Sequence, residues 1–232
     1  MIRAAGGSAV GAKYRENYDV WYLAEDPLLA VVADGMGDGP GSAMAGRTAV
    51  DTFVAGAAPD PSKLRDAVAL AQRRVGDFGR RLGGLAGCTL TALVADGPEF
   101  WITQIGDSRV YRWRGRQLEL LTTDHTMAWL GAVHGWYPFD SPEAAAARYQ
   151  LTRYIGHGDE PAPDVLNMAA RPGDVYLLCT DGIAEQVPFA TLAEILGQPG
   201  AAPATQVQRL LTAADSAGGK DNATAIVIAV LL

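Results

Sequence analysis

Four aspartates stand at the ends of apolar, strand-like runs, each with glycine nearby in the sequence. The runs are LLAVVA before Asp34, FWITQIG before Asp107, DVYLLCT before Asp181, and ATAIVIAV shortly after Asp221. If these strand ends meet, the carboxylates repel one another unless a cation lies between them. Oxygen ligands without His or Cys favour the hard ions Mg²⁺, Mn²⁺ or Ca²⁺. The pattern therefore predicts a site that holds more than one hard divalent ion.

Asp34 opens a glycine-rich stretch, because Gly35, Gly37, Gly39 and Gly41 follow it. An Asp-Gly pair is by itself a common turn, and the pair at 96–97 is interpreted only as a turn. Glycine also allows close backbone approach and can offer its carbonyl as a further ligand. We expect the strand to hold the Asp34 carboxylate rigidly while the glycines leave room above it for metal and water.

The strand-like runs that carry these residues come in adjacent pairs, which predicts antiparallel hairpins. The pairs are 18–24 with 28–33, 88–95 with 99–105, and 109–114 with 116–121. Asp96-Gly97 suits the tight turn of the second pair because it accepts a positive φ. Further buried strands are expected at 174–180 and 223–232.

Apolar residues repeat every three or four positions in four other segments, which predicts helices at 44–57, 61–82, 188–196 and 204–216. Asp60 is suited to cap the second helix and Gly83 to end it. The Ala-rich segment FDSPEAAAARYQ predicts one more short helix. The order of elements is not the regular alternation of a parallel sheet. It predicts an α+β fold in which helices cover antiparallel sheets.

Composition excludes several classes of function. The chain has 232 residues, of which 49% are apolar, so it can bury a sizeable core. Its net charge is −7 and it has no basic tract, which argues against a nucleic-acid partner. Cys88 and Cys179 lie in apolar runs and are expected to be buried free thiols. No signal-peptide core or membrane-length apolar run occurs, so we expect a cytoplasmic protein with no membrane partner. We also expect one domain over residues 1–232 and a monomer.

Six motifs occur in order: VVADGMGDG, GCTLTALV, TQIGDSRVYRWRGRQLELLTTDHT, LTRYIG, GDVYLLCTDGI and KDNATAIVI. Together they resemble the metal-dependent protein phosphatases of type 2C, especially compact bacterial members. The likeness runs from about residue 8 to the C-terminus. It implies two antiparallel β-sheets in a central sandwich with helices on both sides. It also implies hydrolysis of phosphoserine and phosphothreonine in proteins, which are the products of serine/threonine kinases.

The resemblance implies two to three Mn²⁺ or Mg²⁺ ions and a role for each aspartate. Asp34 would bridge two ions, the Gly35 carbonyl would complete one coordination sphere, and Asp181 and Asp221 would hold the pair. Asp107 would join Asp181 in holding a third ion. The ions would activate a water for in-line attack on phosphorus, so Asp34, Asp181 and Asp221 are the expected catalytic residues and no covalent enzyme intermediate forms.

The resemblance also gives supporting roles to residues around the ions. Asn222 would orient the site from beside its neighbouring aspartate, and Asp19 matches an acidic position of the N-terminal motif. Residues 127–150 match the family's flap beside the cleft, in which Trp129, Trp136 and Tyr137 either pack the flap or contact substrate.

Three polar residues near the GDSR motif receive structural interpretations. Arg109 is expected to hold its own loop, Asp124 to cap the following helix, and His125 to pack locally.

The N-terminal motif departs from the family pattern Gly-x-x-Arg-x-x-Asn-Glu/Gln-Asp, because it reads GAKYRENYD. Tyr14 stands where the phosphate-binding arginine is expected, and Tyr18 where an acid or amide supports an ion through water. Tyrosine cannot replace the bidentate charge of arginine. Either phosphate binding is weakened, or Arg15, Lys13 or Lys220 supplies the cation. A one-residue shift would place Arg15 in the role. Asp38 also replaces a glycine, and either adds an acceptor or turns the chain.

Three functions are therefore compared. The first is a serine/threonine protein phosphatase. The second is a catalytically weak relative that binds phosphoproteins for regulation, because it keeps the four aspartates but lacks the arginine. The third, a calcium-stabilised β-sandwich binding module, does not account for six ordered motifs.

Overall fold

Two five-stranded sheets form the centre of the computed structural model, which describes residues 1–37, 39–84 and 86–231; Asp38 lies outside these ranges. The strands are β1 (Ile2–Ala9), β2 (Val20–Glu25), β3 (Leu28–Ala33), β4 (Leu90–Asp96), β5 (Glu99–Ile105), β6 (Arg109–Arg114), β7 (Gln117–Leu120), β8 (Asp164–Ala169), β9 (Val175–Cys179) and β10 (Ala223–Val230). One sheet has the order β1-β10-β9-β6-β7 and the other β2-β3-β4-β5-β8. Every neighbouring pair is antiparallel.

Helices pack on the outer face of each sheet, and two further helices pack on each other. They are α1 (Pro40–Gly56), α2 (Pro61–Leu82), α3 (Met127–Val133), α4 (Pro142–Ala147), α5 (Asp181–Ala184), α6 (Phe189–Leu196) and α7 (Pro203–Ser216). The Asp60 carboxylate accepts hydrogen bonds from the backbone N–H groups of Ser62 and Lys63, and Gly83 ends α2 with a φ of 67°, as predicted. In the described ranges, no helix combines the length and apolar character that a bilayer crossing requires.

The core has three apolar layers because side chains alternate across each strand. Along β3, Ala30 and Val32 face the layer between the two sheets, whereas Val31 and Ala33 face α1 and α2. Strand β9 alternates in the same way between the inter-sheet layer and the layer beneath α5, α6 and α7. This arrangement confirms the predicted α+β sandwich with helices on both sides.

The predicted hairpins are confirmed as β2–β3, β4–β5 and β6–β7, and Gly97 takes the positive φ of 57° expected of its turn. Cys88 and Cys179 are buried free thiols, as predicted. The patterns did not predict β1 or β8. Strand β1 reads IRAAGGSA, whose small residues carry little apolar signal, and β8 is a half-exposed strand at a sheet edge.

Candidate metal site

The fold brings the four strand-terminal aspartates to one end of the sandwich. Asp34 directly follows β3, and Asp107 lies in the connection from β5 to β6, which crosses from one sheet to the other. Asp181 follows β9 at the first residue of α5, and Asp221 precedes β10. Because β9 and β10 are antiparallel neighbours, the end of one strand lies beside the start of the next. Both sheets therefore contribute carboxylates to the same region.

All four aspartates line one pocket with a volume of about 200 Å³. None of the described residues that line this pocket is Lys, Arg or His, so its wall carries carboxylates without a cationic side chain among them. The other lining residues are Tyr14, Tyr18, Gly35, Met36, Gly37, Thr89, Tyr149, Leu151 and Asn222. The pocket is thus strongly acidic and has an aromatic rim.

The Asp34 loop is fixed through its backbone. The Asp34 N–H donates to the Thr89 hydroxyl at 2.9 Å, and the Thr89 N–H donates to the Asp34 carbonyl at 2.9 Å. A side chain at Gly35 would lie 2.6 Å from the Ser42 carbonyl oxygen and 2.9 Å from that of Tyr18. Glycine is therefore required at this close approach of three backbone segments, which holds the Asp34 carboxylate rigidly.

Two of the carboxylates interact directly. Burial raises the pKa of Asp34 well above its usual value, and the charges of Asp181, Asp19 and Asp107 raise it further. Asp181 is affected less: burial and the charge of Asp221 raise its pKa to about 6, while a hydrogen bond from the Asp34 carboxyl lowers it. Crowding and burial therefore favour the protonated form of Asp34 beside Asp181, as expected of carboxylates that lack a counter-charge.

The other two carboxylates are perturbed in the same direction. Burial raises the pKa of Asp107 well above its usual value, and the charge of Asp181 adds to this, whereas Arg109 opposes it. Burial also raises the pKa of Asp221, against the opposing effects of the Asn222 backbone N–H, the Lys13 charge and a hydrogen bond from Tyr14. All four groups are thus held at a cost that a cation would relieve.

Asp19 lies behind the pocket in a polar network that joins both ends of the chain. Its Oδ2 accepts hydrogen bonds from the hydroxyls of Thr180 at 2.8 Å and Thr224 at 2.7 Å. Burial raises the pKa of Asp19 to about 7; the two threonine hydroxyls lower it, and the charges of Asp181 and Asp221 raise it. Because Thr180 directly precedes Asp181, this network helps to position the segment that carries the Asp181 carboxylate.

Asn222 anchors the N-terminal segment to the site. Its side-chain oxygen accepts a hydrogen bond from the Gly11 N–H at 3.0 Å, and its own N–H donates to Asp221 Oδ1 at 2.8 Å. Asn222 therefore links the N-terminal segment to Asp221.

The donors fit a hard divalent ion. The buried Oδ1 atoms of Asp181 and Asp19 have no hydrogen-bond partner, and a cation would satisfy such oxygens. The donor set consists of carboxylates and the Gly35 carbonyl, which hard ions prefer. Among the described residues, no three His, Cys, Asp or Glu side chains already form a ready-made ion cage. The carboxylates share one pocket without already forming a closed set of ligands around one point.

The segment 12–16 forms a turn rather than an extended strand, and this decides which of its side chains reach the pocket. Tyr14 lines the pocket, and its ring packs edge-on against Tyr18 with centroids 5.9 Å apart. Lys13 and Arg15 are exposed and do not line the pocket. The charge of Lys13 nevertheless lowers the pKa of Asp221, so this cation lies within electrostatic reach of the site.

The predicted flap comprises α3, α4 and the loops around them. Trp129 and Trp136 are exposed, with 41% and 58% of their surface accessible. Tyr137 packs inside the flap, where its hydroxyl donates to the Met127 carbonyl at 2.5 Å. Tyr149, which was not predicted, lies at the junction of flap and pocket.

Arg109 holds its own loop, as expected, because its guanidinium donates to the carboxylates of Asp124 and Glu185.

The prediction that Asp124 caps the next helix was wrong. Thr126 caps α3 instead, accepting from the Trp129 N–H, because Asp124 is engaged by Arg109. His125 is buried and packs locally, as expected, where Nδ1 accepts from the Gly106 N–H at 3.1 Å.

Comparison with known proteins supports one family. A family model described as protein phosphatase 2C matches residues 9–213. The serine/threonine protein phosphatase PstP of Mycobacterium tuberculosis is 34% identical over 141 residues, which cover 61% of this chain and 27% of that protein. The matched region therefore spans only about a quarter of the length of that relative.

Solved structures share the whole fold. The PPM Ser-Thr phosphatase MsPP from Mycobacterium smegmatis, in complex with cacodylate, has a TM-score of 0.86 and 34% identity, covering 98% of this chain and 97% of that chain. The catalytic domain of PstP in complex with two manganese ions has a TM-score of 0.87 and 30% identity, covering 100% of this chain and 99% of that chain. Given the family-model match and the shared fold, the chain belongs to the protein phosphatase 2C family.

Proposed function

We propose that this chain is a metal-dependent serine/threonine protein phosphatase, a hydrolase of phosphoric monoesters that acts on phosphoserine and phosphothreonine in proteins. Its relatives named above are serine/threonine protein phosphatases, and one was solved with two manganese ions. The observation that carries the proposal is a pocket lined by four aspartates from both sheets, in which the buried Asp181 Oδ1 lacks a partner.

The residues that would hold two Mn²⁺ or Mg²⁺ ions are Asp34, Asp181, Asp221 and the Gly35 carbonyl. Bound ions supply Lewis-acid activation of water and neutralise charge on the phosphoryl oxygens. The chain itself fixes the Asp34 loop, keeps carboxylates of both sheets in one pocket, and excludes cationic side chains from its described wall.

Asp107 is proposed to contribute, with Asp181, to a third ion. Its carboxylate lines the same pocket and interacts electrostatically with Asp181. We expect Asp107→Asn to lower the number of Mn²⁺ ions bound in calorimetry by one. An unchanged ion count would remove Asp107 from the ligand set.

The main experiment is hydrolysis of p-nitrophenyl phosphate and of a phosphothreonine peptide. Activity should require Mn²⁺, disappear with a chelator and return when Mn²⁺ is restored. Asp181→Asn should abolish activity, whereas the matched control Asp159→Asn, whose side chain is 93% exposed, should not change it. A folded, Mn²⁺-loaded protein without turnover on either substrate would refute the phosphatase assignment.

That refuting result would instead support the second candidate, a catalytically weak relative that binds phosphoproteins. The observation that favours it is Tyr14 in the pocket wall, where the family motif has a phosphate-binding arginine. Binding of a phosphothreonine peptide to the Mn²⁺-loaded protein without hydrolysis is its expected signature.

The flap is proposed to contact the phosphoprotein substrate through two exposed side chains, Trp129 within α3 and Trp136 just after it. We expect Trp136→Ala to raise KM for a phosphoprotein while leaving KM for p-nitrophenyl phosphate unchanged. Tyr137 is a matched packing residue, and Tyr137→Phe should lower stability through loss of its hydrogen bond to Met127 without this selectivity.

We also propose a cytoplasmic monomer whose substrates are products of serine/threonine kinases. Light scattering in solution tests the oligomeric state, and cell fractionation tests the location.

A further inference from the structure

The phosphate subsite of this chain has to be built without the arginine of the family motif. The described wall of the pocket offers no Lys or Arg, so the side-chain hydrogen-bond donors available to a phosphoryl group are hydroxyls and the amide of Asn222, which is only 3% exposed. Thr89 is already engaged by the Asp34 N–H and the Ser108 hydroxyl. Tyr18 is 7% exposed, and Tyr149 is 80% exposed at the outer rim.

Tyr14 is intermediate in exposure between Tyr18 and Tyr149, and it is half-buried in the wall of the pocket. Its hydroxyl donates a hydrogen bond to the Asp221 carboxylate. A phosphoryl group held by an ion on Asp221 therefore comes next to a hydroxyl that can turn its proton from the carboxylate to a phosphoryl oxygen.

Backbone hydrogen bonds of the turn at 12–16 fix the position of Tyr14. The turn that carries it is tied to the site where Gly11 N–H donates to Asn222, and Ala12 N–H donates to the Gly219 carbonyl at 2.7 Å. The Tyr14 N–H closes the turn on the Gly11 carbonyl at 3.0 Å. The same turn leaves Arg15 exposed and outside the pocket wall.

We propose that the Tyr14 hydroxyl is the hydrogen-bond donor that binds the phosphoryl group of the substrate in this chain. The proposal rests on the metal site of the proposed function and assigns its phosphate subsite to a neutral donor instead of a guanidinium. A neutral hydroxyl contributes one hydrogen bond and no charge, so product phosphate should bind weakly and substrate KM should be high.

The test measures binding of inorganic phosphate to the Mn²⁺-loaded protein by calorimetry, which does not depend on turnover. Tyr14→Phe should raise the Kd for phosphate about tenfold or more, because a hydrogen bond to a charged group is lost. The Kd for Mn²⁺ should change less than threefold. Tyr14→Arg should lower the Kd for phosphate, and the rim control Tyr149→Phe should leave it unchanged.

Several outcomes would overturn the inference. One is an unchanged phosphate Kd in Tyr14→Phe, and another is a loss of Mn²⁺ affinity that accounts for the whole effect, since the hydroxyl would then serve only Asp221. A larger loss of phosphate binding in Arg15→Ala would assign the subsite to Arg15. Absence of phosphate binding in the parent protein would also overturn it.

The inference and the proposed function can fail separately. If the parent protein hydrolyses no phosphopeptide but binds phosphate through Tyr14, the phosphatase assignment fails and the subsite stands. If it hydrolyses phosphopeptides and Tyr14→Phe leaves phosphate binding and KM unchanged, the subsite fails and the phosphatase assignment stands.

Discussion

The Asp19→Asn variant gives a direct measure of how much the acidic site destabilises the metal-free fold. The pKa of Asp19 is raised from the ordinary aspartate value of 3.8 to about 7, and burial is the largest cause. Because the folded-state pKa lies above the unfolded one, the protonated fold is most stable at low pH. That stability is lost as the pH rises from about 4 through about 7.

The magnitude follows from the interval between the two pKa values. Each pH unit within it removes about 1.4 kcal/mol, which amounts to on the order of 4 kcal/mol at pH 8 and to less than half of that at pH 5. Asparagine does not titrate, and its side-chain oxygen can accept from Thr180 and Thr224 as Asp19 Oδ2 does. Its amide would occupy the place of Oδ1, which has no hydrogen-bond partner.

Asp19→Asn should therefore raise the Tm of the chelator-treated protein by on the order of 10 °C at pH 8 and by less than half of that at pH 5. The measurement is thermal unfolding followed by circular dichroism across this pH range. With Mn²⁺ present, the parent protein should gain more stability than the variant, because Asp19 supports the loop that carries Asp181.

Asp174 provides the matched control because its environment has the opposite effect. Burial alone would raise its pKa, but hydrogen bonds from Arg114, the Arg171 N–H and Tyr176 lower it. Asp174→Asn should therefore lower Tm at both pH values. The reasoning is refuted if Asp19→Asn lowers the Tm of the metal-free protein at pH 8, or if its effect is the same at pH 5.

Mn²⁺ at about one hundred times its Kd should stabilise the parent protein by about 2.7 kcal/mol, seen as a Tm rise of about 5–10 °C that a chelator reverses; no rise would count against a metal site. Asp34→Asn should lower kcat at least about a thousandfold without lowering the metal-free Tm, and activity near the parental level would contradict its assignment. Gly182→Ala should destabilise the fold by about 3 kcal/mol or more, because a Cβ there would lie 1.9 Å from the Asn222 carbonyl, whereas Gly158→Ala meets open space and should be tolerated; equal denaturant midpoints would refute this. Asp60→Ala should cost about 1 kcal/mol in denaturant unfolding through loss of the α2 cap and leave kcat unchanged, and a loss of activity would show a role beyond capping.

The strand-terminal positions of the aspartates could be predicted because they depend on local signals. Turn residues mark the strand ends, and antiparallel pairing then determines which ends lie together. Asp34 and Asp181 can both be recognised in this way, because each directly follows an apolar strand-like run. The meeting of Asp34 with Asp181 depends in addition on the packing of the two sheets against each other, which no local pattern records.

Other parts of the site depend on contacts that no local pattern records. The Asp19–Thr224 hydrogen bond joins residues 205 positions apart, and both are unremarkable in their own segments. Tyr149 and Leu151 reach the pocket from an irregular stretch after α4. The position of Tyr14 in the wall depends on a turn at 12–16, and the motif alone did not decide between Tyr14 and Arg15.

The division of the acidic pocket between the two sheets also governs when the proposed metal site can form during folding. Asp34 comes from one sheet, Asp181 and Asp221 from the other, and Asp107 from the connection that crosses between them. An intermediate with a single formed sheet holds only part of the ligand set. Under the proposed function, hydrolytic activity should therefore return only when the two sheets pack together, so recovery of turnover on refolding reports assembly of the complete sandwich.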